Sequence, residues 1–172
     1  MNPQDYWHGA HQKYTIKDWI TKPTIFATQV VEYFPKGARI LELGCGQGQD
    51  TKYFVDNGFT VVVCDFSQFA LDQAKLRVNT EFRLVDMNKS LEFQRESFDV
   101  VYSHLALHYF DKNRTQKLFD EIYDVLKPEG IFATLTNTIE DPEIKDGRLL
   151  EPEYYEFDTI KKRFLSTNSM RQ

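Results

Sequence analysis

The sequence predicts an α/β fold, with one mostly parallel sheet between two layers of helices. Three observations lead there. Short apolar runs recur five times, and strand-like and helix-like segments alternate between them. Several of the runs are apolar throughout, as strands covered on both faces are. The chain has 172 residues, which suits one domain with a sizeable core.

The elements follow in order. "TIKDWITKPTIFATQVVEYF" holds at least one helix before the sheet begins. "ARILEL" (38–43) reads as the first, buried strand, and "TKYFVDNG" as a helix ending at Gly58. "TVVVCDF" (60–66) is β-branched and continuous, a second buried strand. "QFALDQAKLRV" (68–78) puts Phe69, Leu71 and Leu76 at helical spacing. "EFRLVDM" alternates as a short third strand, and "SFDVVYSHLAL" is the fourth. "RTQKLFDEIYDVL" (114–126) carries Leu118, Ile122, Val125 and Leu126 on one stripe, and "KPEG" is expected to stop it. "GIFATLTN" (130–137) is the fifth strand. Five strands alternating with helices predict right-handed crossovers in one parallel sheet.

Composition narrows the function. Net charge is −5 and no basic run is present, which argues against a nucleic-acid or anionic-membrane partner. No apolar stretch approaches the roughly 20 residues that span a bilayer, and the N-terminus lacks the apolar core of a signal peptide. Cys45 and Cys64 stand at strand ends and read as reduced, partly buried thiols. A cytoplasmic location is expected.

The stretch "ILELGCGQGQDT" (40–51) places Gly44, Gly46 and Gly48 at alternate positions after a strand, with Glu42 just before them. One or two glycines would make a tight turn; three favour a ligand loop at the carboxyl end of the strand. The dinucleotide pattern G-x-G-x-x-G does not fit. Its sixth position falls on Gln49 when counted from Gly44, and on Thr51 when counted from Gly46.

The spacing E-x-G-x-G-x-G resembles the first motif of the Rossmann-like, class I S-adenosylmethionine-dependent methyltransferases, within the group that includes the type 11 and tellurite-resistance-like enzymes. The resemblance runs from about Ala38 to Asn137 and includes three further stretches in the family's order: "VVVCDFS", "FRLVDMN" and "FDVVYSHLALHYF". It implies a three-layer α/β/α sandwich with strand order 3-2-1-4-5, and S-adenosyl-L-methionine as cofactor, with S-adenosyl-L-homocysteine as product. Residues 1–172 then form one domain: an N-terminal helical or lid segment (1–37), a cofactor-binding core (38–137) and a C-terminal segment (138–172).

The resemblance also assigns roles. Glu42 would act on the cationic side of the cofactor, and Gly44, Cys45 and Gly46 would pass their backbone against its methionine part. Asp65 would accept both ribose hydroxyls; capping the next helix is its other reading, although Ser67 is also available for that. Phe66 packs on adenine or belongs to the core. Asp86 would accept the adenine amino group with the backbone of Met87 beside it, or else is a turn residue. Ser103, His104 and Leu105 would lie under the methionine moiety.

Methyl transfer is an in-line displacement in which positioning does most of the work. A base is needed only when the acceptor carries a proton. His108 is the candidate, with a structural histidine as its alternative. His104 and His108 are four apart, yet no third ligand is evident, and no metal site is read. Tyr109 would face the substrate. Tyr6, Trp7, His8, His11 and Tyr14 crowd the N-terminal segment, either as a lid over a sulfonium or as a helix packed by its aromatics.

One departure stands out. The family sheet has seven strands, the last two an antiparallel hairpin, and only 35 residues follow Asn137. "DPEIKDGRLLEPEYYEFD" reads as a loop or lid, "TIKKRFLS" as one short strand, and "STNSMRQ" as a helix start capped by Ser166 or Thr167. Five principal strands are therefore expected without the terminal hairpin. The edge of strand five would be open unless the tail, a helix or a second copy covers it. The expected function is methyl transfer to a small molecule. The alternatives are a binding protein without turnover and a nicotinamide-dependent oxidoreductase.

Overall fold

The structure, a computed structural model, describes residues 3–167. Strand and helix alternate as the sequence indicates. Helix α1 (Pro3–Tyr14) and helix α2 (Ile25–Val30) precede the sheet. Then come β1 (Arg39–Leu43), α3 (Gln49–Asp56), β2 (Thr60–Asp65), α4 (Gln68–Lys75) and β3 (Glu81–Leu84). They are followed by β4 (Phe98–His104), α5 (Lys112–Val125) and β5 (Leu126–Leu135). The five strands form one sheet in the order β3-β2-β1-β4-β5, and every pairing in it is parallel.

Burial explains the continuous apolar runs. From Ile40 to Leu43 every β1 residue is buried, as is every β2 residue from Val61 to Asp65. Side chains alternate between two cores, one on each face of the sheet. Leu41, Leu43, Val62 and Val101 meet Leu118, Ile122 and Val125 of α5. Ile40, Val61, Val63 and Tyr102 meet Phe54 of α3, Leu71 of α4 and Ala27 of α2. Helix starts are set by side chains. Thr24 accepts from Ala27 N, Ser67 from Ala70 N and Asp111 from Arg114 N. Helix α3 ends where Gly58 takes a φ of 85°.

Three expectations change. The KPEG segment lies inside β5 rather than ahead of it. Pairing begins at Phe98↔Leu126, the register then shifts, and it resumes at Val100↔Ile131. Glu129, at a φ of 63°, supplies the kink. Next, α4 stops at Lys75, which leaves Leu76 exposed. The C-terminal segment is also more ordered than a loop plus one strand. It forms a separate antiparallel sheet of β6 (Arg148–Glu151), β7 (Tyr154–Glu156) and β8 (Lys161–Arg163). No terminal hairpin joins the main sheet among the described residues, and β5 pairs there only with β4. The expected helix in "STNSMRQ" falls largely outside the described residues.

Arg163 fastens this small sheet. Its Nε donates to Phe110 O at 3.2 Å, and its guanidinium donates to Pro152 O at 3.2 Å and to the Glu151 carboxylate. Its backbone N–H donates to His108 O at 2.6 Å. The small sheet is therefore a cap seated on the loop that follows β4.

Candidate cofactor and acceptor site

A cavity of about 780 Å³ opens beyond the carboxyl ends of the parallel strands. Its floor is the glycine loop between β1 and α3. Gly44, Gly46 and Gly48 all have positive φ, at 74°, 53° and 79°. Close approach is needed at two of them. A Cβ on Gly44 would collide with the Ala106 methyl, and one on Gly48 would stand 2.9 Å from the Ala74 methyl. The loop hangs from β2: Gly44 N and Cys45 N both donate to Cys64 O, at 2.8 and 3.0 Å.

Three strand tips present carboxylates to the cavity: Glu42 on β1, Asp65 on β2 and Asp86 just past β3. Glu42 is buried and accepts from Thr51 Oγ1 at 2.6 Å. Burial pushes its carboxyl well above the usual range. Asp50 and Asp65 add to the rise, and the Thr51 bond opposes it. Asp65 accepts Gly46 N through Oδ2 and Ser67 N through Oδ1, each at 2.9 Å. Burial raises its pKa to about 6, against the pull of those amides. Each oxygen engages one backbone amide and keeps a second acceptor site. The helix cap beside it is Ser67. Asp86 binds Asn88 N and Nδ2 through Oδ1, both at 3.0 Å. Arg114, donating to Met87 O at 2.5 Å, holds that loop in place. Gly44, Cys45, Gly46, Phe66, Met87, His104 and Leu105 also line the cavity. Burial lowers the pKa of His104, with Asp50 opposing.

The roof is α1. Trp7, His11 and Tyr14 line the cavity, and Trp7 stands edge-on to Tyr109 at 5.1 Å. Gln47, only 1% exposed, ties roof to floor. Its Nε2 donates to His11 O at 2.7 Å and to Thr15 Oγ1 at 3.2 Å. His11 Nδ1 is buried without a partner, and burial with the nearby His8 lowers the ring's pKa to about 4. The far wall is the cap, where Tyr154, Glu156, Phe157, Asp158, Thr159, Ile160 and Lys161 face the cavity.

Three sequence-derived candidates do not reach it. Ser103 is fully buried and donates to Leu43 O at 2.9 Å, a stitch between β4 and β1. His108 is 2% exposed, outside the cavity wall, and packed 4.3 Å from the Tyr109 ring. Burial, then Lys162 and His104, lowers its pKa to about 3, so it stays neutral under ordinary conditions. The Arg163 N–H donates to its carbonyl, and its Nδ1 is buried without a partner. Tyr6 backs Trp7, edge to face at 5.2 Å, rather than lining the wall.

Sequence reasoning did not single out Gln47, Asp50, Trp19 or the cap residues. Asp50 was the most legible of these, as an acid in the first turn of a helix that opens at the glycine loop. It accepts Thr24 N at 2.7 Å, Thr24 Oγ1 at 2.8 Å and the Tyr102 hydroxyl at 2.6 Å.

A parallel sheet with a ligand cavity at its carboxyl tips, floored by E-x-G-x-G-x-G, defines a nucleoside-cofactor-binding protein of the Rossmann-like class. Residues 40–130 match the family described as Methyltransferase domain, and the chain belongs to it. It is 38% identical over 97 residues to the uncharacterized methyltransferase sll0829 of Synechocystis, covering 56% of this chain and 46% of that one. It is 30% identical over 111 residues to the malonyl-[acyl-carrier protein] O-methyltransferase of Enterobacter lignolyticus, covering 64% and 43%. Thus the chain spans less than half the length of these two relatives. Among solved structures, an S-adenosylmethionine-dependent methyltransferase from Mesorhizobium loti superposes with a TM-score of 0.66 at 22% identity, covering 84% of this chain and 76% of that one.

S-adenosyl-L-methionine is the cofactor to which family and fold point. The wall suits it: carboxylates for an ammonium and for hydroxyl or amino donors, and aromatic faces for a sulfonium and a base.

Proposed function

We propose that the protein binds S-adenosyl-L-methionine and transfers its methyl group to a small-molecule acceptor. One observation carries this. Three adjacent strand tips and the glycine loop bring Glu42, Asp65, Asp86 and a bare backbone bend into the wall of one cavity. The bound cofactor supplies a methyl carbon activated by a positively charged sulfur. The chain's residues then do three things. Asp65 and Asp86 fix the nucleoside. The Gly44–Gly46 backbone and Glu42 hold the amino-acid end. Trp7, His11 and Tyr14 keep water out. Catalysis rests on positioning.

Calorimetric titration with S-adenosyl-L-homocysteine tests this. Binding that Asp65→Asn weakens by about tenfold or more, the loss expected when charge-assisted bonds become neutral, supports the reading. Equal binding by NAD, or none by the homocysteine compound, sinks it.

A second reading is a binding protein without turnover. Release of S-adenosyl-L-homocysteine in the presence of acceptors separates the two. The acidic balance and the concave cavity favour a small acceptor over nucleic acid or a membrane surface; among the described residues no helix is long and apolar enough to cross a bilayer. We also propose a homodimer along the free edge of β5, which light scattering of the purified chain would reveal.

A further inference from the structure

We infer that the methyl acceptor is an amine, held at the cap end of the cavity by aromatic faces and carboxylates. This rests on the methyl-transfer reading and adds the acceptor's chemical class.

Charge in the wall is one-sided. Of the acidic side chains that line the cavity, Glu42, Asp50, Asp65 and Asp86 stand on the floor side with the glycine loop and strand tips, and Glu156 and Asp158 on the cap. Among the described residues that line it, the only lysine or arginine is Lys161. The two histidines there, His11 and His104, have pKa values lowered by burial and add no positive charge near neutrality. Lys161 sits opposite Glu156 in the β7–β8 register, so its charge already has a counterpart. Glu156 also pairs with Arg148 and stays ionised. Asp158 stands exposed at the tip of the β7–β8 hairpin. An anionic acceptor would meet Asp158 at the mouth and, among the described lining residues, one lysine that faces Glu156.

Four of the aromatic lining residues lie on or beside the cap. Trp7 abuts Tyr109, and the Tyr154 hydroxyl donates to Tyr109 O at 3.3 Å. Phe157 follows on the hairpin, and all four line the cavity. Aromatic faces and carboxylates together attract an organic cation.

The charge balance of the transfer agrees. The nitrogen lone pair forms the new N–C bond. The S–C bond breaks and its electron pair stays on sulfur. Positive charge therefore leaves sulfur and appears on nitrogen, and a product ammonium that bears hydrogen then releases a proton to water. An amine that arrives protonated first loses one proton to solvent at the exposed rim. Transfer to a carboxylate or thiolate would instead cancel the charge, and the cap carboxylates would have nothing to stabilise. Groups placed where charge develops are what lowers a barrier. The malonyl relative is an O-methyltransferase by name; the wall charge here points to a different acceptor class.

Two titrations separate the claims. The first adds S-adenosyl-L-homocysteine to the protein and reads the methyl-transfer proposal alone. The second adds matched probes to the protein saturated with that product: 2-phenylethylamine against 3-phenylpropanoate, and ethanolamine against glycolate. In at least one pair the amine is expected to bind about tenfold tighter, and Asp158→Asn to cut that preference by about half or more. The thermal melt of the variant reports its fold. Carboxylates that bind as tightly as amines, no binding by any probe, or a preference that Asp158→Asn leaves intact in a folded variant each overturn the inference.

Discussion

Asp65 and Asp158 are carboxylates in the wall of one cavity, yet they are built into the molecule in opposite ways. Asp65 ends a central strand, is nearly fully buried, and has each oxygen on a backbone amide. Asp158 sits exposed on a hairpin tip between two three-residue strands. The first position is dictated by the parallel sheet, since its geometry follows from register and crossover. The second depends on a small cap held by a few bonds, from Arg163 to Phe110 O, Tyr154 to Tyr109 O and Lys112 N to Glu151. An unvarying ligand part belongs at the fixed end, and a part that differs between relatives belongs at the adjustable one.

Four experiments break or sharpen that contrast. The largest effect is expected from Gly44→Val. It forces a side chain into Ala106 at a φ of 74°. Overpacking and backbone strain together cost roughly 2–6 kcal/mol, a large part of a typical domain's stability. Chemical denaturation should show a folded fraction close to lost, with no ligand binding.

Arg163→Met should come next. It removes the side-chain bond that joins the cap to Phe110 O and two bonds within the small sheet, to Pro152 O and the Glu151 carboxylate. A loss of roughly 2–3 kcal/mol is expected in urea denaturation, with protease cutting within 148–163. Affinity for S-adenosyl-L-homocysteine should change by only about twofold, because the strand tips do not depend on the cap. A loss as large as that of Asp65→Asn would mean the two ends are one unit.

The third is a pH profile. The Asp65 carboxyl rises from 3.8 to about 6 on folding. In the free protein its contribution to stability is therefore full below pH 3.8 and is lost as pH climbs through about 6. Donors from a bound ribose favour the ionised form. Binding near pH 6 should then release a proton, and affinity should rise up to about tenfold between pH 5 and 7. Calorimetry in buffers of different ionisation enthalpy measures the proton, and Asp65→Asn should flatten the curve.

The smallest effect is expected from Gln47→Ala. Loss of its bonds to His11 and Thr15 should loosen the roof without unfolding the sheet. Hydrogen exchange in α1 should quicken by about tenfold, corresponding to roughly 1–2 kcal/mol.

The central sheet was legible because each strand announces itself locally. "TVVVCDF" is apolar throughout because both faces are covered, and Gly44, Gly46 and Gly48 stand where φ is positive. The strand-tip carboxylates were legible for the same reason, as polar residues that end apolar runs. What failed to show depends on distant partners. His108 looked like a catalytic candidate from its neighbours in sequence. Its burial, with the Arg163 N–H from 55 residues away on its carbonyl, is set by packing that the local sequence does not display. Ser103 was expected under the ligand, but its hydroxyl completes a carbonyl on the next strand. The cap has strands of three and four residues, too short for any period to register. Tyr6 and Trp7 are adjacent aromatics, and only the packing of α1 decides which one faces inward.

Gln47 belongs to the loop beneath the cavity yet is bonded to the helix above it. A nucleoside lodged between them would be threaded under a bridge. Passage in or out past α1 would require that amide to let go of His11 and Thr15, so the bridge, and not only the strand tips, would set how long spent cofactor stays.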